Sequence, residues 1–268
     1  MKKILSCILC MFLLTVLFTA HAVDIPAFAN ADEENTAIFA YMHTGRTSNT
    51  ERQVQMPAPI PLPSVIDPSK PMIALTFDDG PSEHTPRILD ALEQYGGRAT
   101  FFTVGNLLNA NKETVLRAHN MGCEIIGHTW DHKDLTKLSD WEIRNQLLAT
   151  NDAIKNITGI AKPMYRPPYG AMDERVRRIS GELGFSTVTW SFDTLDWQTK
   201  NAQLLYSNIM HNVRDRDIIL THDMHGTTAD AMERIIPVLV KKGYQLVTVS
   251  ELLSYKYGFI EAGRIYTN

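Results

Sequence analysis

Two adjacent carboxylates, Asp78 and Asp79, stand where an apolar run stops. Met72-Ile73-Ala74-Leu75 reads as a short buried strand, and Gly80-Pro81 ends it in a turn. A strand end of this kind fixes both carboxylates beside a core. Downstream, His128-Thr129-Trp130-Asp131-His132 puts two imidazoles at i and i+4, which a helical turn would bring to one side. Two nitrogens and one carboxylate oxygen suit zinc or a similar first-row cation, with one coordination position left for water. Only one of the paired aspartates fits comfortably as a ligand. The other is left to accept a proton from that water.

Three further clusters share this chemistry. In Arg166-Pro167-Pro168-Tyr169-Gly170 the prolines stiffen a loop and hold an arginine that could orient a carboxylate. Asp193-Thr194-Leu195-Asp196-Trp197 offers carboxylates that could polarise a histidine or bind a sugar hydroxyl, and a flat indole for a sugar to stack on. Asp193 could equally be a turn residue. Leu220-Thr221-His222-Asp223-Met224-His225 supplies His222, a candidate general acid whose proton affinity a neighbouring carboxylate would raise. His225 reads as peripheral.

These clusters need elements to bring them together. From Met72 onward, strand and helix patterns alternate. Strands are expected at 72–76, 99–104, 123–127, 163–165, 185–191, 217–221 and 244–248. Helices are expected near 86–95, 111–121, 139–157, 172–183, 201–213, 227–242 and 250–256. Thr85 is positioned to cap the first helix, and Ser139 with Glu142 forms a capping box. Such alternation predicts a parallel sheet covered by helices, either a closed barrel or an open sheet. Asp78, His128, Arg166, Asp193 and His222 each follow a predicted strand, so the architecture would gather them at one mouth.

The rest of the chain sets the context. A net charge of −4 over 268 residues argues against a nucleic-acid partner. Lys2 and Lys3, an apolar run from Ile4 to Phe18 and the small-residue site Ala20-His21-Ala22 read as an export signal over residues 1–22 cleaved after Ala22, with an uncleaved membrane anchor as the alternative. Residues 23–70, rich in proline from Pro57 to Pro63, read as a stalk, 71–258 as the working domain and 259–268 as a tail. Only Cys123 would remain after cleavage, and it reads as a buried small hydrophobe.

The five motifs in this order resemble the polysaccharide deacetylases of carbohydrate esterase family four, the NodB-homology domains, across roughly residues 70–255. The resemblance implies a distorted (β/α) barrel of seven or eight parallel strands in a single catalytic domain. It implies metal-dependent hydrolytic removal of N-acetyl groups from an amino-sugar polymer. It also implies roles: Asp78 as general base, Asp79, His128 and His132 as ligands of one divalent cation (zinc, with cobalt, nickel or manganese as alternatives), Arg166 orienting Asp78, and Asp196 tuning His222 as general acid. The Tyr169 N–H would bind the oxyanion, while Trp197 and Leu220 would line the acetyl pocket. An exported enzyme suggests peptidoglycan as the glycan partner, with no obligate protein partner. The alternatives are chitooligosaccharides, an O-acetyl xylan ester, or a non-catalytic glycan-binding module.

Overall fold

The computed structural model describes residues 66–267. The segment read as an export signal and most of the proline-rich stretch lie outside the described residues. The elements run β1 (Met72–Asp78), α1 (Thr85–Gln94), β2 (Thr100–Thr103), α2 (Lys112–Asn120), β3 (Glu124–Gly127), α3 (Asp140–Thr158), β4 (Met164–Tyr165) and α4 (Glu174–Glu182). They continue through β5 (Ser186–Val188), β6 (Phe192–Asp193), α5 (Asp196–Thr199), α6 (Ala202–Asn212), β7 (Ile218–His222), α7 (Gly226–Lys241), β8 (Gln245–Leu246), α8 (Val249–Tyr257) and β9 (Ile265–Tyr266).

The sheet follows the order β6-β7-β1-β2-β3-β4-β5-β9, with β8 paired to the start of β1. Each pairing is parallel. The result is the expected distorted (β/α) barrel. Among the described residues no ladder joins β6 to β9, so the curl stays open on that side. The strand expected over 185–191 ends at Val188, and a separate strand, β6, starts at Phe192 because the chain changes partners. β5 pairs with β4 and β9, whereas β6 pairs with β7. Ile265–Tyr266, inside the stretch read as a tail, adds the edge strand β9.

Alternation along the strands decides what faces inward. On β1, Ile73, Leu75 and Phe77 point outward and pack with Ile88, Leu89 and Leu92 of α1 and Ile235, Ile236 and Leu239 of α7. Met72 and Ala74 point inward, where they join Phe102, Ile126, Met164, Val188 and Ile218. Val249, Leu252 and Leu253 of α8 belong to the same interior cluster. Each inward position is two residues from the next. Continuing the count from Ala74, Ile126, Met164 and Ile218 towards the C-terminal strand ends reaches Asp78, His128, Arg166 and His222. Parallel pairing then sets these residues at one end of the barrel. On the β1–β7 ladder, Asp78 is the direct partner of His222.

Side chains cap α3, α4, α6 and α8, whereas α1, α2, α5 and α7 begin without a side-chain cap. Ser139 and Glu142 form the capping box on α3. Thr85 does not cap α1, whose N-cap is His84 without a side-chain bond. Its hydroxyl is drawn to the buried Asp223 carboxyl instead, at 2.5 Å.

Candidate active site

Arg166 enters the barrel from the end of β4 and is fully buried. A buried guanidinium is costly unless its donors are used. Here Nη1 donates to Asp78 Oδ1 at 2.6 Å and to Thr76 Oγ1 at 2.8 Å, Nη2 to the Thr189 carbonyl at 2.8 Å and Nε to the Val188 carbonyl at 3.3 Å. Its face lies 3.8 Å from the centre of the Phe102 ring. Burial pushes the guanidinium below its ordinary value, and the Asp78 carboxylate opposes that shift. The outcome is a carboxylate fixed by one oxygen, with Asp78 Oδ2 turned to within 3.8 Å of His128 Nε2.

Asp79 lies one residue on, and its φ of 72° lets its carboxylate come to the same site as that of Asp78. Asp79 Oδ1 sits 3.3 Å from His128 Nε2 and 3.0 Å from His132 Nε2. These three ligand atoms all lie within 4.8 Å of one another. His128 Nδ1 faces the Arg166 carbonyl at 2.8 Å, so that nitrogen carries the proton and Nε2 presents a lone pair. Asp79 Oδ1 is buried and makes no ordinary hydrogen bond. Three Lewis-base atoms facing one point, one of them an orphaned buried oxygen, are what a divalent cation requires. Burial pushes the Asp79 carboxyl up, but the two imidazoles outweigh it and hold the group well below the usual carboxylate range.

The imidazoles do not converge through a helical turn, as the i, i+4 spacing suggested. Residues 128–132 form a loop, with Thr129 at φ 64° and His132 at φ 59°. Non-glycine residues in this region cost roughly 1–3 kcal/mol each, and such strain persists only where surrounding contacts hold it. Tyr169 also adopts positive φ, 61°, and its ring meets His132 edge-on at 4.8 Å. The Tyr169 side chain is exposed.

Opposite this triad stands a second pair. His222 Nδ1 lies 2.8 Å from Asp196 Oδ1, and the His222 backbone N–H donates to Asp196 Oδ2 at 2.8 Å. Thr228 Oγ1 donates to the same Oδ2 at 2.8 Å, and Thr194 Oγ1 to Oδ1 at 3.3 Å. Burial alone would lower the His222 proton affinity. The Asp196 carboxylate, aided by Asp78 and Asp79, reverses this and raises the imidazole to about 9. Asp193 is the turn residue of its motif, accepting the Leu195 N–H at 2.9 Å. Leu220 is buried two residues before His222 and pairs with Thr76, while Trp197 is half exposed at the start of α5. His225 lies beside His222, ring centres 6.4 Å apart, and is not part of the ligand triad.

Several supporting groups carried no signal in the sequence reading. Thr76, Thr194 and Thr228 are ordinary threonines until the fold sets them against Arg166 and Asp196. Asp223 was visible only as the residue after His222. It is fully buried and pushed up to about 7, mainly by burial. Its carboxyl packs against Gly80, where any Cβ would collide with it.

Residues 66–188 match the family model described as polysaccharide deacetylase. The chain is 39% identical over 198 residues to the peptidoglycan-N-acetylmuramic acid deacetylase PdaC of Bacillus subtilis, covering 74% of this chain and 42% of that protein. The solved structure of PdaC superposes with a TM-score of 0.69 at 39% identity, over 72% of this chain and 95% of the solved one. The peptidoglycan-N-acetylglucosamine deacetylase PgdA of Listeria monocytogenes is 38% identical, covering 72% of this chain and 41% of PgdA. A peptidoglycan-N-acetylglucosamine deacetylase of Bacillus cereus is 36% identical, with 69% of this chain and 90% of that one covered. The chain therefore spans about two-fifths of the length of PdaC and PgdA but nearly all of the Bacillus cereus protein.

Proposed function

The chain belongs to the polysaccharide deacetylase family, and on that footing we propose that it removes N-acetyl groups hydrolytically from an amino-sugar polymer, peptidoglycan, releasing acetate. The observation that carries this reading is the meeting of Asp79 Oδ1, His128 Nε2 and His132 Nε2 beside an arginine-held Asp78. A divalent cation held by those three groups, zinc by the donor set, supplies polarisation of the acetyl carbonyl and acidification of water.

The chain's own residues account for the remaining steps. Asp78, pinned through Oδ1 by Arg166, presents Oδ2 to take the proton of the attacking water. The Tyr169 N–H, in a loop stiffened by Pro167 and Pro168, donates to the oxyanion, a contact of the kind worth ~3 kcal/mol in the transition state. His222 gives its proton to the departing amine. Because Nδ1 is engaged by Asp196, the proton donated is the one on Nε2. An amide nitrogen is too basic to leave as an anion, so a histidine kept protonated favours amide over ester cleavage. Leu220 and Trp197 would enclose the acetyl methyl.

The reading of residues 1–22 as an export signal and the location of peptidoglycan support a secreted or cell-surface protein. Incubating metal-loaded protein with purified peptidoglycan, chitooligosaccharides and acetylated xylan, with acetate assay and mass analysis of the digests, tests the proposal. Acetate from peptidoglycan with new free amines on its sugars is the expected result, and it also tells glucosamine from muramic acid. Acetate from xylan alone, or from none of the three, would defeat it.

A further inference from the structure

The loop between the two candidate histidine ligands runs against its own backbone preference at Thr129 and His132, so something must hold it. One side is held by main chain. The Thr129 carbonyl accepts from the Gly105 N–H and the Trp130 carbonyl from the Asn106 N–H, both at 2.9 Å. The other side is held by one side chain from α3. Gln146 Oε1 accepts the Trp130 N–H at 2.7 Å and the Asp131 N–H at 3.2 Å, and Gln146 Nε2 donates to Asp131 Oδ1 at 2.7 Å.

Gln146 is buried on the inward face of α3, beside Ile143, Leu147 and Thr150. An apolar residue would suit that face better, since an amide buried there is costly unless its polar atoms are paired. Its oxygen and nitrogen are both paired, and both go to the loop. Few side chains could replace it. Leucine offers neither donor nor acceptor, and glutamate keeps the acceptor but sets a second carboxylate against Asp131.

We propose that Gln146 is the positioning residue that fixes His132 relative to His128, and through that spacing sets the affinity of the site for a divalent cation. It rests on the metal-centre reading above. Gln146 bonds to Trp130 and Asp131 and to neither histidine ring, so the effect enters through the geometry of the ligands. Outer partners of metal ligands typically carry about 10–100-fold in affinity.

The test is a reciprocal exchange in the full chain. Zinc affinity is measured by competition with a chromophoric chelator, and the visible spectrum of the cobalt-substituted protein reports ligand geometry. Asp131→Asn alone keeps an oxygen for Gln146 Nε2 and should bind zinc like the parent. Gln146→Glu alone should weaken zinc binding about 10–100-fold and alter the cobalt spectrum. Combining Gln146→Glu with Asp131→Asn restores one donor and one acceptor with their direction reversed, and should recover affinity and spectrum. Parent-like zinc binding in folded Gln146→Glu, or a double variant no better than that single one, would overturn the proposal. A parent chain that binds no zinc would defeat the metal-centre reading itself, a separate and distinguishable failure.

Discussion

The two ends of the barrel both hold buried charge, and they treat it differently. At the N-terminal strand ends, Glu124 accepts from Thr100 Oγ1 at 2.9 Å, from the Ser250 N–H at 3.1 Å, from Lys162 Nζ at 2.6 Å and from the Ser250 hydroxyl. Arg98, beside it, pairs with Glu251 at 2.9 Å. Every charge there has its partners, supplied by α8 and the strand starts. At the C-terminal strand ends, Asp79 Oδ1, Thr129 Oγ1 and Asp223 Oδ1 are buried without a hydrogen-bond partner. Five non-glycine residues of the same end, Asp79, Thr129, His132, Tyr169 and Leu195, take positive φ. Saturated charge at one end closes a structure. Unsaturated charge and strained backbone at the other mark where a ligand completes it.

Four experiments break or sharpen that contrast. The largest effect falls on the open end. Removing divalent metal with a chelator should reduce acetate release to background, and zinc should restore it; turnover that survives chelation would show that the Asp79 triad needs nothing added. Next, Asp78→Asn should lower kcat by about 10²–10⁴-fold, the range for a positioned proton acceptor, with zinc content unchanged by metal analysis.

The acid follows. His222 must be protonated to donate, so activity should be present below its raised value and fall as pH climbs through about 9. Asp196→Asn removes the carboxylate that chiefly opposes burial, so the alkaline limb of kcat/KM should move from about 9 to lower pH. An unmoved limb would mean that another group donates. Smallest in activity is the closed end. Glu124→Leu strips the acceptor from Ser250, Thr100 and Lys162, and should cost about 1–3 kcal/mol in a urea titration. Turnover per folded molecule should not change, and a matching loss of turnover would erase the distinction between the two ends.

The strand positions and the gathering of Asp78, His128, Arg166 and His222 were legible in the sequence, because period-two alternation and strand-end placement are local patterns. What was not legible depends on distant partners. Residues 128–132 carry the spacing of a helical turn, yet contacts from Gly105, Asn106 and Gln146 pull them into a loop. Thr85 carries a capping signal, but Asp223, 138 positions away, takes its hydroxyl. Residues 265–266 look like a tail until β5 presents an edge for them to pair with.

The pairing of Asp78 with His222 on neighbouring strands has a consequence for how this centre could change over time. Their spacing is inherited from the repeat of the hydrogen-bond ladder, ~4.8 Å between strands, and owes nothing to the loops. Inserting or deleting one residue within Ile218–His222 would turn the side chains beyond the change to the other face and bring Thr221 or Asp223 into the place of the imidazole. Mouth loops that carry no site residue can therefore vary in length, while the pair proposed to move protons stays locked to the ladder.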